Sequence, residues 1–89
     1  MINSERKKQT LERLNRIEGQ VRGLKKMVEE ERYCLEILTQ ISSVQEALRG
    51  AGKIIMRNYL ENCVTASIRS ESPEGIYNEL MEAIFKFAK

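Results

Sequence analysis

Histidine and tryptophan are absent from this sequence, proline occurs once, cysteine twice, and the aromatics amount to three tyrosines and two phenylalanines. Without histidine the chain lacks the commonest general base and the commonest nitrogen ligand of zinc. It also lacks a phosphate-cradling glycine loop, a dinucleotide fingerprint and a nucleophile elbow. Its carboxylates fall mostly on predicted helix surfaces, where solvated ion pairs are the ordinary use, so no catalytic constellation emerges and no enzyme is expected. No apolar run approaches the roughly 18 residues that span a bilayer. The opening Met-Ile-Asn-Ser-Glu-Arg-Lys-Lys has no apolar secretory stretch. Two cysteines without an export signal place the protein in a reducing cytoplasm, where a structural disulfide would not persist.

What is present is a helical pattern. Hydrophobic residues make up 42% of the chain and aromatics 6%, a composition that suits Leu-, Ile-, Val- and Met-packed helices rather than a β-sandwich. The sequence predicts three helices in one small all-α domain, 1–89. The first, from about Ser4 to Glu31, carries Leu11, Leu14, Ile17, Val21, Leu24 and Val28 at three- and four-residue spacings. The second, from about Cys34 to Ala66, carries Ile37, Leu38, Ile41, Val44, Leu48, Ala51 and Ile55. Gly50 and Gly52 should weaken its middle by about 1 kcal/mol each relative to alanine. The short polar break between them implies an antiparallel hairpin. For the third helix Ser72 is the expected N-cap, Pro73 the first helical residue and Glu74 the dipole partner. Stripes this long exceed what two helices can bury alone, so a second chain should complete an antiparallel four-helix bundle. Gly19 and Gly23 are read as permitting a close helix crossing.

Charge is unevenly distributed. Residues 1–26 hold eight basic and three acidic side chains, whereas residues 27–89 hold seven basic and ten acidic ones. Such a basic helix is commonly no more than a solvated face. Here Arg6, Arg13 and Arg16 flank one side of the apolar stripe and Arg22 and Lys25 the other, and in an oligomer these would merge into surfaces suited to DNA phosphates. No helix-turn-helix spacing and no aromatic platform for single strands is present.

Cys34 and Cys63 stand 29 residues apart. On one uninterrupted α-helix that is roughly 44 Å, far beyond the about 7 Å a disulfide spans. Twenty-nine steps of about 100° return to within about 20° of the starting direction, so both thiols should share a face. Antiparallel pairing with a second chain would then set Cys34 of one beside Cys63 of the other. The plain alternative is that each is a small buried hydrophobe, and that Tyr59, one turn before Cys63, simply packs beside it.

The residues themselves resemble a known family. The string Arg13-Leu14-Asn15-Arg16-Ile17-Glu18-Gly19-Gln20-Val21-Arg22-Gly23-Leu24, with Tyr33-Cys34, Leu38-Thr39-Gln40-Ile41-Ser42, Ala47-Leu48-Arg49-Gly50 and Cys63-Val64, is similar to the CsoR-type copper-sensing operon repressors. The resemblance implies an all-helical dimer of dimers that binds double-stranded operator DNA and releases it when an inducer engages interfacial cysteines. By this resemblance Arg13, Arg16 and Arg49 match operator-binding positions, and Lys7, Lys8 and Arg22 are weaker matches. Cys34 and Cys63 match the two cysteine ligands of the copper sensors, while Tyr33 and Glu79 resemble residues that support that site. The departure is at Tyr59, which stands where those sensors have histidine. A two-thiolate site could still hold Cu(I), but two cysteines without the imidazole look most like the persulfide-sensing, CstR-like branch. That branch needs no cofactor, and sulfane-sulfur donors are its inducers. Cys34 is the expected attacking thiol, being near a predicted helix N-terminus where the dipole favours an anion, and Cys63 the resolving thiol, giving a di-, tri- or tetrasulfide bridge between protomers. A reading of another class stays beside these: a helical interaction module with structural cysteines.

Overall fold

The computed structural model of the chain describes residues 2–70 and 72–88. The first helix, α1, spans Ser4–Glu29, and Asn3 caps it by accepting a 2.9 Å hydrogen bond from the Arg6 amide. It ends two residues earlier than the sequence suggests, because Glu31 adopts φ 55° and turns the chain back. The amides of Glu30, Glu31 and Arg32 are satisfied by the carbonyls of Lys26, Val28 and Met27, so the reversal leaves few orphan groups at the helix end.

The second rod is continuous from residue 34 to 68 but not uniform. It comprises α2 (Cys34–Asn58), a π-helical segment (Tyr59–Val64) and a last α-helical turn, α3 (Thr65–Ile68). The expected weak point at Gly50 and Gly52 does not interrupt it. The irregularity comes later, where the carbonyl of Leu60 accepts from both the backbone amide and the hydroxyl of Thr65. That i→i+5 arrangement inserts one residue into the turn.

The final helix, α4, spans Glu74–Phe87. Its start differs by one position from the expectation. Pro73 occupies the flanking cap position, its carbonyl accepts from the amides of Ile76 and Tyr77, and Ser72 makes no side-chain cap bond.

α1 and α2 pack antiparallel, and the thin buried apolar core is Ile17, Val44 and Ala51 with Val64 of the π segment. Gly19 and Gly23 are not at a helix crossing: a Cβ on Gly23 would meet nothing within 4 Å, and one on Gly19 would meet only the end of Arg22. The close approaches are at Gly50, against Arg13, and at Gly52, whose missing side chain makes room for the ring of Phe87. The chain is an elongated slab, 58 × 26 × 13 Å. Leu35, Leu38, Leu48, Ile55, Met81, Ile84 and Phe85 all remain exposed, so the apolar stripes are only half used within one chain. No helix among the described residues is long and apolar enough to cross a membrane.

Candidate functional site: two thiol ends and a basic seam

Cys34 is the first residue of α2 and is exposed; Cys63 lies inside the π segment and is half-buried; neither is in a disulfide. The rod separates them, so the expected group of Cys34, Cys63, Tyr33, Tyr59 and Glu79 divides in two within a chain. Tyr33 stays with Cys34 at the hairpin end, largely exposed over a depression shared with Met27, Leu35 and Thr39. Tyr59 and Glu79 stay with Cys63 at the other end. The even α-helical rotation assumed between the thiols does not hold over Tyr59–Val64, where the rod is π-helical.

At the Cys63 end the phenol of Tyr59 donates a 2.7 Å hydrogen bond to Glu79 Oε2, joining the second rod to α4. Lost hydration first, then the bond to Glu79 and the negative charges of Glu79 and Cys63, push this phenol from 10.0 up to about 12. Tyr59 is therefore a neutral phenol at neutral pH, committed as a donor, and is not a soft ligand for a metal held by thiolates. Beneath it, Gly52, Ile55, Met56, Ala83 and Phe87 line an apolar groove of about 480 Å³. Among the described residues no group of three or more His, Cys, Asp or Glu side chains could hold a metal ion.

The basic residues lie along one side of the α1–α2 seam. Arg13, Arg16, Ile17 and Gln20 meet Ala47 across a small depression, and the Arg13 guanidinium reaches over Gly50, next in the chain to Arg49. Arg13, Arg16 and Arg49 are exposed. The structure thus sets Arg13 and Arg16 on one depression, while Arg49 is tied to them only through its neighbour Gly50. The weaker matches are not part of this group: Lys7 and Lys8 are exposed, and Arg22 pairs with Glu18 at 3.6 Å on the open surface.

Other residues join the site, and of these the sequence marks only Arg6, as a flank of the α1 stripe. Glu61, in the π segment, is gripped by Arg6 Nη2 at 2.6 Å and Arg57 Nε at 2.7 Å. These two bonds, Arg57 first, hold its carboxyl below the ordinary carboxylate range. Asn58 is buried, and its Oδ1 accepts from the Asn3 amide at 3.1 Å and from Asn62 Nδ2 at 3.0 Å. The start of α1 is therefore fastened to the segment that carries Cys63. The available signal was periodicity: Arg6 precedes Arg13 by seven residues, and Arg57 follows Gly50 by seven.

Against known proteins, the model of a metal-sensitive transcriptional repressor family matches residues 6–86. The copper-sensing transcriptional repressor CsoR of Bacillus subtilis (strain 168) is 42% identical over 87 residues, which cover 98% of this chain and 86% of that protein. The copper-sensing transcriptional repressor RicR of Mycobacterium tuberculosis (strain H37Rv) is 43% identical over 77 residues, covering 86% of this chain and 79% of that one. Among solved structures, the copper-sensing repressor CsoR with Cu(I) from Geobacillus thermodenitrificans NG80-2 superposes with a TM-score of 0.90 at 46% identity, covering 100% of this chain and 93% of the other. The nickel-responsive transcriptional regulator InrS gives 0.77 at 36% identity, covering 90% of each. The half-used apolar stripes, the two separated thiols and these likenesses agree: the chain belongs to the family of metal-sensitive, CsoR-type transcriptional repressors.

Proposed function

We propose that the chain is a non-enzymatic repressor that binds operator DNA as a homo-oligomer, with four chains arranged as a dimer of dimers, and lets go when a sulfane-sulfur donor modifies its cysteines. Family membership supports the repressor role. The observation that carries the choice of inducer is Tyr59: the position facing Cys63 holds a phenol spent on Glu79, and the chain has no histidine. The site therefore offers thiols and little else.

In this reading the Cys34 thiolate attacks a polysulfide, an S–S bond of the donor breaks, a shortened polysulfide anion leaves, and Cys34 becomes a persulfide. The Cys63 thiolate of a second protomer then attacks the sulfur attached to Cβ of Cys34, hydrosulfide leaves, and a disulfide joins the chains. If Cys63 is itself persulfidated first, the same displacement leaves a trisulfide. The donor's sulfane sulfur is the oxidant and is reduced to sulfide. Arg13, Arg16 and Arg49 would take operator phosphates through charge-assisted hydrogen bonds.

A second reading is favoured by the relatives, which are named as copper sensors. Cys34 and Cys63 would then hold Cu(I) as a two-coordinate pair of thiolates across the interface. One experiment separates the two: intact mass under non-reducing conditions after treating the reduced protein with inorganic polysulfide. Covalent dimers, carrying an added sulfur wherever the bridge is a trisulfide and absent from Cys34→Ala and from Cys63→Ala, are expected. Unmodified chains, together with Cys63-dependent competition for Cu(I) against a tight chelator, would replace the persulfide reading with the copper one.

A further inference from the structure

The basic seam is longer than the three positions the family resemblance marks. Beyond Arg13 it runs toward the start of α1, where Asn3, Glu5, Arg6 and Gln9 face Lys53, Ile54 and Arg57 across a depression of about 540 Å³, with Glu5 its one acidic lining residue. The two depressions share no lining residue, and Arg13, which lines the second, crosses Gly50 between them. Residues 6, 9, 13, 16 and 20 recur every three or four positions on α1, and 47, 50, 54 and 57 do so on α2, so both edges are single faces of straight helices. From Arg6 to Arg16 is roughly 15 Å along the axis.

The opposite side of the same seam is lined by Val21, Leu24, Val28, Ile37 and Ile41 together with Lys25 and Glu29. One side of the hairpin is thus mainly apolar, and the other bears a row of cations. In that row Arg13, Arg16 and Lys53 have no carboxylate within ion-pair distance among the described residues. At its far end Glu61 fixes Arg6 and Arg57, neutralising one of the two charges while aligning both guanidinium groups. Arg6 Nη2 is spent on Glu61, but Arg6 Nη1 is buried without a hydrogen-bond partner among the described residues. A buried charged donor left without an acceptor is costly. An acceptor brought against it by a small shift of the Arg6 side chain, which lines the groove, would relieve that cost.

We propose that this far end, Arg6 with Lys53 and Arg57, is a second phosphate-binding segment that takes the DNA backbone in line with Arg13 and Arg16. A single bound anion would use only one end of the row. A straight series of cations spaced by helical turns matches instead the continuous line of charge along a duplex strand. Glu61 here is a positioning residue, and Arg6, Lys53 and Arg57 are the groups that touch the phosphates. The inference rests on the repressor reading above.

The test is a salt titration of binding to a duplex from the protein's own upstream region and to a random duplex of equal length. Removing one cation that neutralises a phosphate lowers the slope of log K against log salt by about 0.9. Lys53→Ala is expected to lower the slope by about 0.9, and Lys53→Ala with Arg57→Ala by about 1.8, with equal weakening on both duplexes. Helicity and oligomer mass should be unchanged, and Lys86→Ala, on exposed α4, should leave the slope alone. If the double variant keeps the slope while Arg13→Ala lowers it, the second segment does not exist and the repressor reading stands. If the variants change the oligomer mass, the groove is a subunit contact and the proposal is overturned. Absence of salt-dependent binding by the unaltered protein would remove the repressor reading and this inference with it.

Discussion

Any bond between Cys34 and Cys63 must join two chains, and that can be measured without assuming what the inducer is. Cys34 opens the second rod, and Cys63 follows 29 residues later in the same rod. At about 1.5 Å per residue the separation is roughly 44 Å, against about 7 Å between the Cα atoms of a disulfide. An added sulfur atom lengthens the reach by only about 2 Å. The perturbation is to mix Cys34→Ala and Cys63→Ala chains in equal amounts, unfold and refold them together, and oxidise. Neither variant alone contains a Cys34–Cys63 pair. In the proposed isologous interface, where the Cys34 of one chain would face the Cys63 of the other, a mixed dimer contains one. Random re-pairing makes about half of the dimers mixed, so covalent dimer should rise from near zero in either variant to about half of the material in the mixture. Non-reducing electrophoresis with intact mass reads the result. An internally bridged monomer from the unaltered protein would refute the reasoning, as would a mixture no better cross-linked than its parts.

Other consequences follow from the same structure. With the folded Tyr59 phenol raised to about 12 from 10.0, the unfolded chain releases that proton first. The associated stability is thus full below the unfolded value and is lost as pH rises through the folded one. Phenolate absorbance should show a late component that vanishes in Tyr59→Phe and moves down in Glu79→Gln. Glu61 behaves in the opposite sense. Its lowered carboxyl contributes stability above the ordinary carboxylate value that disappears as pH falls through the folded one, and Glu61→Gln should flatten the acid limb of an unfolding curve followed by circular dichroism. Gly23→Ala has open space around its Cβ, whereas Gly52→Ala drives a Cβ into Phe87. Thermal unfolding should show the first stabilising by up to about 1 kcal/mol and the second destabilising, with Phe87→Ala relieving the second. Ile17→Ala, in a core of four buried apolar side chains, should cost about 2–5 kcal/mol in denaturant unfolding.

Most of the fold is legible because the apolar stripes are regular. Leu11, Leu14 and Ile17 keep a helical beat, as do Ile37, Ile41, Val44 and Leu48, and the four-residue polar break leaves room only for a reversal. The rest was hidden for physical reasons. Glycine propensity directs attention to Gly50 and Gly52, yet both are tolerated because Arg13 and Phe87 fill the space their side chains leave. The π segment has no propensity signature. It comes from tertiary ties, with Asn58 buried beneath Asn3 and Glu61 held from α1. Of the site, the cysteines and Arg13, Arg16 and Arg49 could be read from residue type and pattern. Arg6 could be read as one flank of the basic stripe, but Lys53 and Arg57 could not, since each is an ordinary surface cation until the antiparallel register sets it across the groove.

An α-helical rod that contains one π turn holds a residue in reserve. If the turn around Cys63 closed to α-helical register, the rod beyond it would rotate by about 100° per residue released. Glu61 lies within that turn and Asn58 at its edge, and they grip the two ends of the first α1 turn, Arg6 and Asn3. The half-buried thiol thus sits on a gear tooth. A change of pitch there could not be absorbed locally, because the teeth it meshes with belong to the helix that carries the cations.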